Sequence, residues 1–392
     1  MTRAAKRIKT RAAVTEFLAT ATDSKHQLRG IVGTPKDTIW KIEPHTQAKH
    51  ELLTRYLDAW FPILTSWNTK VFYIDGFSGP GTYADGEPGS PLLAIEAARK
   101  REAMLKGSTV MFLFNEGHKR RFEELDARLD ELIAAGLPDK FEIYTRQGEF
   151  ADMAQELVND RADRSFVPTF AFVDPFGWSG VPIDLICKLT RDKRSELFIL
   201  FSYNSLNRWI TEPSQQRNMQ ELFGCTDYLQ AEGKTPAHRK EFLASLYERQ
   251  LRDIGGFEHV SRFEMIEKNN RTSYFLYHCT RSLKGLEVMR SAMWAIDPQS
   301  GRQFSDRVAG LEPLFEGPLT FDLEERLIAA FEGQTVPIGT LQKFVLTDTD
   351  YAPAHLKRPT LKPMLEKGYI KVHGDKIRRG TFPDRCEVEF LA

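Results

Sequence analysis

Apolar residues first settle into a period near residue 40. Leu52, Leu53, Tyr56, Leu57, Trp60 and Phe61 recur at helical spacing, with Thr46 as the expected cap and Pro62 as an interruption that need not end the helix. The texture then changes to short apolar runs separated by amphipathic ones. The runs VFYID (71–75), VMFLFNE (110–116), FEIYTRQGEF (141–150), TFAFVDPFG (169–177) and ELFILFSYN (196–204) read as buried strands. Between them lie helical stretches: one from Ser90-Pro91, with Ser90 as cap, a charged one to about residue 135, one over 151–160 and one over 183–190. Five alternations of strand and helix predict an α/β fold, a mostly parallel sheet with helices on both faces. Residues 211–265 break the alternation and read as a polar helical insertion; 274–280 is a further strand and 285–298 a helix closed by Pro298.

Beyond the Gly- and Pro-containing stretch 310–319 the pattern becomes helix, helix, helix and two strands: 322–333, 338–347, 351–368, then 369–372 and 385–392 around a basic loop. That order predicts a winged helix-turn-helix. The expected organisation is a flexible basic arm over 1–38 (Arg3, Lys6, Arg7, Lys9, Arg11), an α/β domain over 39–310 and a winged-helix domain over 318–392.

Charge narrows the function classes. The chain has 54 Lys plus Arg and 54 Asp plus Glu, so a protein that coats nucleic acid by bulk charge is excluded; contact with DNA or RNA must use local patches. The four cysteines, Cys187, Cys225, Cys279 and Cys386, are far apart and match neither a zinc spacing nor a disulfide framework, so no metal is expected and a reducing, cytoplasmic setting fits. No apolar run reaches membrane-spanning length, so no membrane partner is expected.

The chemistry concentrates at strand ends. The first strand closes in Asp75 and runs into a turn containing Gly76, Phe77, Gly79 and Gly81. Ligands of open α/β sheets sit at such ends, and glycines let the backbone approach them. The turn departs from the G-x-G-x-x-G cradle of a dinucleotide fold, although a structural turn has the same composition. About forty residues on, Glu116 ends the second strand, where a carboxylate can accept both hydroxyls of a ribose, or simply start a helix. A ligand with a ribose and no pyrophosphate, S-adenosyl-L-methionine, matches better than a dinucleotide. Gln147 and Glu149, at the end of the third strand, are candidates to face its adenine or to cap the next helix; His45 and Lys49, at the start of the first helix, to hold its methionine carboxylate or to remain solvated.

The fourth strand ends in Asp174-Pro175-Phe176-Gly177-Trp178, which resembles the D-P-P-Y motif of methyltransferases acting on amines of nucleic acids. A carboxylate and a carbonyl that accept both N–H groups of an exocyclic amine draw its lone pair out of conjugation, proline fixes the turn, and an aromatic side chain stacks on the base. Here Phe176 replaces the second proline, and the aromatic role falls to Phe176 or Trp178. Asp174, Pro175, Phe176 and Trp178 are the catalytic candidates, with Tyr203, Asn204 and Arg208 on the next strand end as substrate contacts or helix caps.

The runs WKIEPHTQAKH, DGFSGPG with EPGSP, VDPFGW and GLEVMRSAMW together resemble the three-Cys-motif partner (TcmP) family over roughly residues 38–300, with a winged-helix domain attached. The resemblance implies a bacterial protein that works with a three-cysteine, radical-S-adenosylmethionine-like partner. In the winged helix, Lys357, Arg358, Lys362 and Lys367 on the third helix, and Lys371, Lys376, Arg378 and Arg379 beyond it, are the expected nucleic-acid contacts; a protein-docking role is the alternative. Three functions stay open: transfer of a methyl group to a nucleic-acid amine, a catalytically silent methyltransferase-fold partner subunit, or a winged-helix nucleic-acid-binding regulator.

Overall fold

The computed structural model describes residues 7–8, 38–160, 167–307, 321–375, 377–378 and 380–391. Arg3, Lys6, Lys9, Arg11, Lys376 and Arg379 lie outside the described residues, and Arg7 is described in its backbone alone.

By contact the chain divides into two compact units, Met1–Ser282 with Ser305–Arg307, and Leu283–Phe304 with Val308–Ala392. The helix Leu283–Ile296 therefore goes with the C-terminal unit, whereas composition had placed it inside a domain ending at 310.

In the first unit, helix α1 (Pro44–Thr65) starts two residues before the expected cap. Pro44 carries no N–H and its ring presets a helical φ, so the helix opens there, with Glu43 as its unbonded cap and the Thr46 N–H donating to the Glu43 carbonyl at 2.9 Å. Pro62 sits inside the last turn without ending it. Strands β1 (Arg7–Ile8), β2 (Lys70–Asp75), β3 (Thr109–Glu116), β4 (Phe141–Gln147), β5 (Thr169–Val173), β6 (Glu196–Phe201), β7 (His259–Ile266) and β8 (Thr272–Thr280) line up in the order β1-β4-β3-β2-β5-β6-β8-β7, and the chain returns at the β7 edge, where the Asp306 N–H donates to the Ile266 carbonyl at 3.0 Å. From β1 to β6 every pairing is parallel; β8 is antiparallel to both β6 and β7.

β7 corrects the sequence reading of 211–265 as wholly helical. Helices do fill Gln216–Phe223 and Pro236–Gly255, but HVSRFEMI is a strand with one face half-exposed. Its alternation was present in the sequence and was masked by its charges.

Period-two alternation gives the sheet two covered faces. Phe72, Ile74, Met111, Leu113, Ala171, Val173, Leu197 and Ile199 point to a core shared with α4 (Phe150–Asp160), α5 (Ile183–Leu189) and helix Pro236–Gly255. Tyr73, Phe112 and Phe170 point the other way, onto Tyr56, Trp60 and Phe61 of α1. Each such side chain contributes roughly 1.5–3 kcal/mol by leaving water. Helices α2 (Ser90–Lys100) and α3 (Lys119–Ala134) follow β2 and β3. Gly89, not Ser90, caps α2, because the Ser90 hydroxyl is used elsewhere.

The second unit runs helix Leu283–Ile296, helix Phe321–Phe331, strand Thr335–Pro337, helix Ile338–Asp348, a wide turn Leu356–Leu361, helix Lys362–Glu366, and strands Ile370–His373 and Glu387–Phe390. The last of these is central in a three-stranded antiparallel sheet. The single helix expected over 351–368 is broken into a short turn, a wide turn and five α-helical residues. Pro359 and Pro363 remove two backbone donors there, and the Thr360 hydroxyl donates instead to the His355 carbonyl at 2.8 Å. Trp294 stacks on Tyr351 with ring centroids 5.3 Å apart, and its N–H donates to the Asp350 carbonyl at 2.8 Å. No helix among the described residues is long and apolar enough to cross a membrane.

Candidate functional site

After β2 the chain turns towards β3 and β4 on one side and crosses back to β5 on the other, so the carboxyl ends of β3, β2 and β5 form the switch point of the sheet. Asp75 is level with Phe114 and Phe172 of its neighbours, and Glu116 and Asp174 stand two residues past that register on either side. Asp75 is fully buried; its Oδ1 accepts the Phe77 N–H at 3.1 Å and its Oδ2 the Ser90 hydroxyl at 2.6 Å. Burial pushes this carboxyl up to about 7. The hydrogen bonds from Ser90 and Phe77 oppose the shift, and the charges of Asp174 and Glu116 add to it. The three carboxylates thus share one electrostatic neighbourhood.

Gly76 donates its N–H to the Phe172 carbonyl, and a Cβ there would lie 2.6 Å from the Phe150 ring, which itself stacks on Phe77. Gly79 and Gly81 have φ of +61° and +82°, a left-handed backbone that favours glycine. Glu116 is buried: Oε2 accepts the Gly79 N–H at 2.9 Å and Oε1 the His118 N–H at 2.7 Å. Asn115 beside it donates to the Gly76 and Gly148 carbonyls, tying the turns after β2 and β4 together. Gln147 lies opposite Glu116 in the sheet and is exposed; Glu149, also exposed, has its carboxylate against Gly117.

Asp174 is paired with Lys49 of α1, through the Lys49 Nζ and Asp174 Oδ2. The Lys49 Nζ also stands 5.8 Å from the centre of the Tyr274 ring. His45 lies 2.9 Å from Asp306 and 3.1 Å from Glu43. His50, buried against Tyr83, is held down to about 3, by burial first and by the adjacent Lys49 charge second, and is neutral. Burial lifts Tyr83 and Tyr274, with Asp174 adding to both shifts.

Over this rim lies an aromatic cluster. Trp40 meets Phe176 edge-on at 5.5 Å and Tyr83 at 5.9 Å, and its carbonyl accepts the Ala84 N–H. The Arg121 guanidinium sits 4.9 Å from the Trp40 ring and 4.8 Å from the Phe176 ring. Arg121 follows β3 and Phe176 follows β5, so their contact spans the glycine turn between them. Phe176 therefore packs within the protein, Pro175 is buried, and Trp178 belongs to the main core instead of the rim. Tyr203 is buried against Phe275, Asn204 is half-buried and Arg208 is exposed.

The structure thus brings Asp75, Gly76, Phe77, Gly79, Gly81, Glu116, Asp174, His45 and Lys49 to one rim, and it takes Trp178 away. Trp40, Ser90, Arg121, Tyr83, Tyr274 and Asp306 join them without having been expected. Of these, Trp40 carried a signal, since it lies in the same WKIEPH run as His45. A hollow of about 680 Å³ lies elsewhere, at the amino end of β6, beside Cys187, Lys188, Arg191 and Arg281. The Arg281 guanidinium there is committed to the carbonyls of Gly255, Gly256, Thr190, Asp192 and Ser195, whereas the strand-end rim stands at the switch point where open α/β sheets place their ligands.

In the C-terminal unit Arg358, Lys362, Lys371 and Arg378 are exposed. Lys357 pairs with Asp384 at 2.9 Å and Lys367 with Glu324 at 2.9 Å, so the free positive charge is smaller than the sequence count.

No protein-family model and no curated protein matches the chain. Among solved structures it is similar to the methyltransferase domain of METTL16 (17% identity, TM-score 0.28, over 57% of this chain and 65% of that one). It is also similar to human methyltransferase 10 domain containing protein (15% identity, TM-score 0.29, over 59% and 83%). The chain spans under two-thirds of the length of the METTL16 domain. With its parallel β4-β3-β2-β5-β6 sheet closed by antiparallel β8 and β7, the first unit has an α/β fold with a mixed, mostly parallel sheet.

Proposed function

We propose that this protein binds S-adenosyl-L-methionine at the strand-end rim and transfers its methyl group to an exocyclic amine of a nucleic acid. The single observation that carries the reading is the grouping of Asp75, Glu116 and Asp174 at the carboxyl ends of three adjacent parallel strands, at the switch point. The residues present suit that ligand. Glu116 offers a carboxylate to ribose hydroxyls, Lys49 a cation to a carboxylate, and Asp174 an anion to a cationic centre. A Cβ on Gly79 would meet no atom within 4 Å, leaving room beside the turn. The Tyr73 hydroxyl, fully buried and in the field of Asp75 and Asp174, has no hydrogen-bond partner among the described residues.

The ligand when bound supplies an electrophilic methyl group on a sulfonium. The chain's own contribution is positional: Asp174 and the carbonyl at its proline corner accept the two N–H bonds of the amine, localising its lone pair. Trp40, Phe176 and Arg121 cover the rim and have to part for a ligand to enter. We read the C-terminal unit, with its helices and small antiparallel sheet, as a winged helix whose Arg358, Lys362 and Arg378 meet DNA or RNA phosphates, and the three-Cys-motif protein as the working partner of the TcmP-like whole.

A second reading is a catalytically silent partner subunit. It is favoured by the Lys49 pair that occupies Asp174 and by the packed Trp40, Phe176 and Arg121 side chains. Labelled methyl transfer from S-adenosylmethionine to total cellular RNA and DNA, compared between the parent and Asp174→Ala, decides between them. Transfer that is lost in the variant supports the enzyme. A folded parent that neither transfers nor binds S-adenosylhomocysteine by calorimetry supports the silent subunit.

A further inference from the structure

On the rim, Lys49 pairs with one anion among the described residues, Asp174. Its Nζ contacts Asp174, and both side chains are largely buried, 7% and 18% exposed. The other carboxylates of the rim hold partners of their own, though Asp306 does so through Oδ2 alone. Asp75 accepts from Ser90 and Phe77, Glu116 from Gly79 and His118, and Asp306 lies on His45. A buried ammonium without an anion costs several kcal/mol. Lys49 therefore leaves Asp174 at least cost when another anion arrives to replace it. Tyr274 keeps an aromatic face near the cation whichever partner it takes. Asp174, for its part, has its charge balanced and its Oδ2 taken by the ammonium, which weakens it as an acceptor for a neutral amine.

We infer that Lys49 is exchanged between Asp174 and the amino-acid carboxylate of the bound ligand, so that filling the ligand site releases the Asp174 carboxylate for the substrate amine. The inference rests on the ligand proposed above and adds an order to it: ligand first, amine second. The Asp174 pair keeps the acceptor masked until the ligand is in place, and by linkage an occupied acceptor strengthens ligand binding.

Two probes separate the carboxylate from the rest of the ligand: S-adenosylhomocysteine, which carries the amino-acid group, and 5′-methylthioadenosine, which lacks it. Calorimetry on the full chain compares the parent, Asp174→Asn, Lys49→Met and the double variant, each checked for folding by circular dichroism. Asp174→Asn frees Lys49 and is expected to tighten S-adenosylhomocysteine about tenfold, because the competing pair no longer has to break. Lys49→Met is expected to weaken that ligand by a similar factor of about ten. Binding of 5′-methylthioadenosine stays unchanged in both. Should Lys49→Met fail to fold with Asp174 left unpaired, the uncharged double variant carries the same expectation of weaker S-adenosylhomocysteine binding. The exchange is overturned if Asp174→Asn weakens or leaves unchanged S-adenosylhomocysteine binding, or if both probes shift together. Folded proteins that bind neither probe overturn the ligand assignment itself.

Discussion

The carboxylate of Glu116, at the end of β3, accepts the backbone N–H of Gly79 in the turn after β2, at 2.9 Å. The same side chain accepts the N–H of His118 through its other oxygen. One buried acid thus fixes the conformation of the glycine turn and the entry to α3 together. Charge-assisted bonds of this kind are about twice as strong as neutral ones. Glu116 is therefore structural in the free protein, whatever it holds when a ligand is present.

Glu116→Ala leaves one buried N–H, that of Gly79, and one partly buried, that of His118, without an acceptor, and we expect it to destabilise the first unit by on the order of 2 kcal/mol. Glu116→Gln keeps one acceptor and turns an NH2 group towards the other donor, so its effect is about half as large by the same reckoning. Denaturant midpoints of the three proteins check this; equal stability of Glu116→Ala and the parent would remove the acid from its anchoring role.

His50 and Asp75 set opposing pH dependences. His50, ordinarily near 6.5 and held to about 3 in the fold, is more protonated in the unfolded chain. Its contribution is present above 6.5 and is lost as pH falls towards 3. Asp75, ordinarily near 3.8 and raised to about 7, holds a proton in the fold that the unfolded chain has released. Its contribution is present below 3.8 and is lost as pH rises through 7. Between roughly pH 4 and 6.5 the two slopes cancel. Relative to the parent, His50→Gln is expected to lose stability with rising pH across that window and Asp75→Asn to gain it. Unfolding free energies at half-unit pH intervals decide the signs, and two variants that move the same way would contradict both assignments.

Ser90 donates to Asp75 and holds its carboxyl lower than burial alone would. Ser90→Ala is expected to move the Asp75 inflection above 7. The carboxyl carbon resonance of Asp75, followed by NMR titration, reads the shift directly. An unmoved or lowered inflection would mean that the hydroxyl does not stabilise the charged form.

In the C-terminal unit Gly301 has φ +66°, and a Cβ on it would stand 2.4 Å from Trp294 Nε1. The rigid indole is held by Asp350 and cannot give way without losing that bond. Gly301→Ala is expected to cost about 1–3 kcal/mol, from overpacking and a left-handed backbone together. Gly333→Ala, at φ +72° with open space around it, isolates the backbone part and is expected to cost about 1 kcal/mol. Thermal melts of the two variants give the difference; equal losses would show that the indole yields.

Strand ends were legible because chemistry and period coincide there. Asp75, Glu116 and Asp174 each close a short apolar run, and a parallel sheet carries all such ends to one rim. What each side chain does on that rim was not legible. Phe176 and Trp178 are two residues apart and equally aromatic, yet Phe176 packs on Trp40 and Arg121 while Trp178 enters the core. Ser90 looked like a cap and is a donor to Asp75. The strand Thr335–Pro337 is three residues long and ends in proline, too short to show a period.

The amino-acid order alone determined the alternation of elements, and with it the sheet and the three acids at its carboxyl edge, because hydrophobic period is a local property that each segment carries. Only the tertiary structure decided that Lys49 meets Asp174 across 125 residues, that Glu116 holds Gly79 across 37, and that the Arg121 guanidinium lies against the Trp40 ring. Pairing of charges depends on distance and burial in three dimensions, and neither is written in the spacing of residues along the chain.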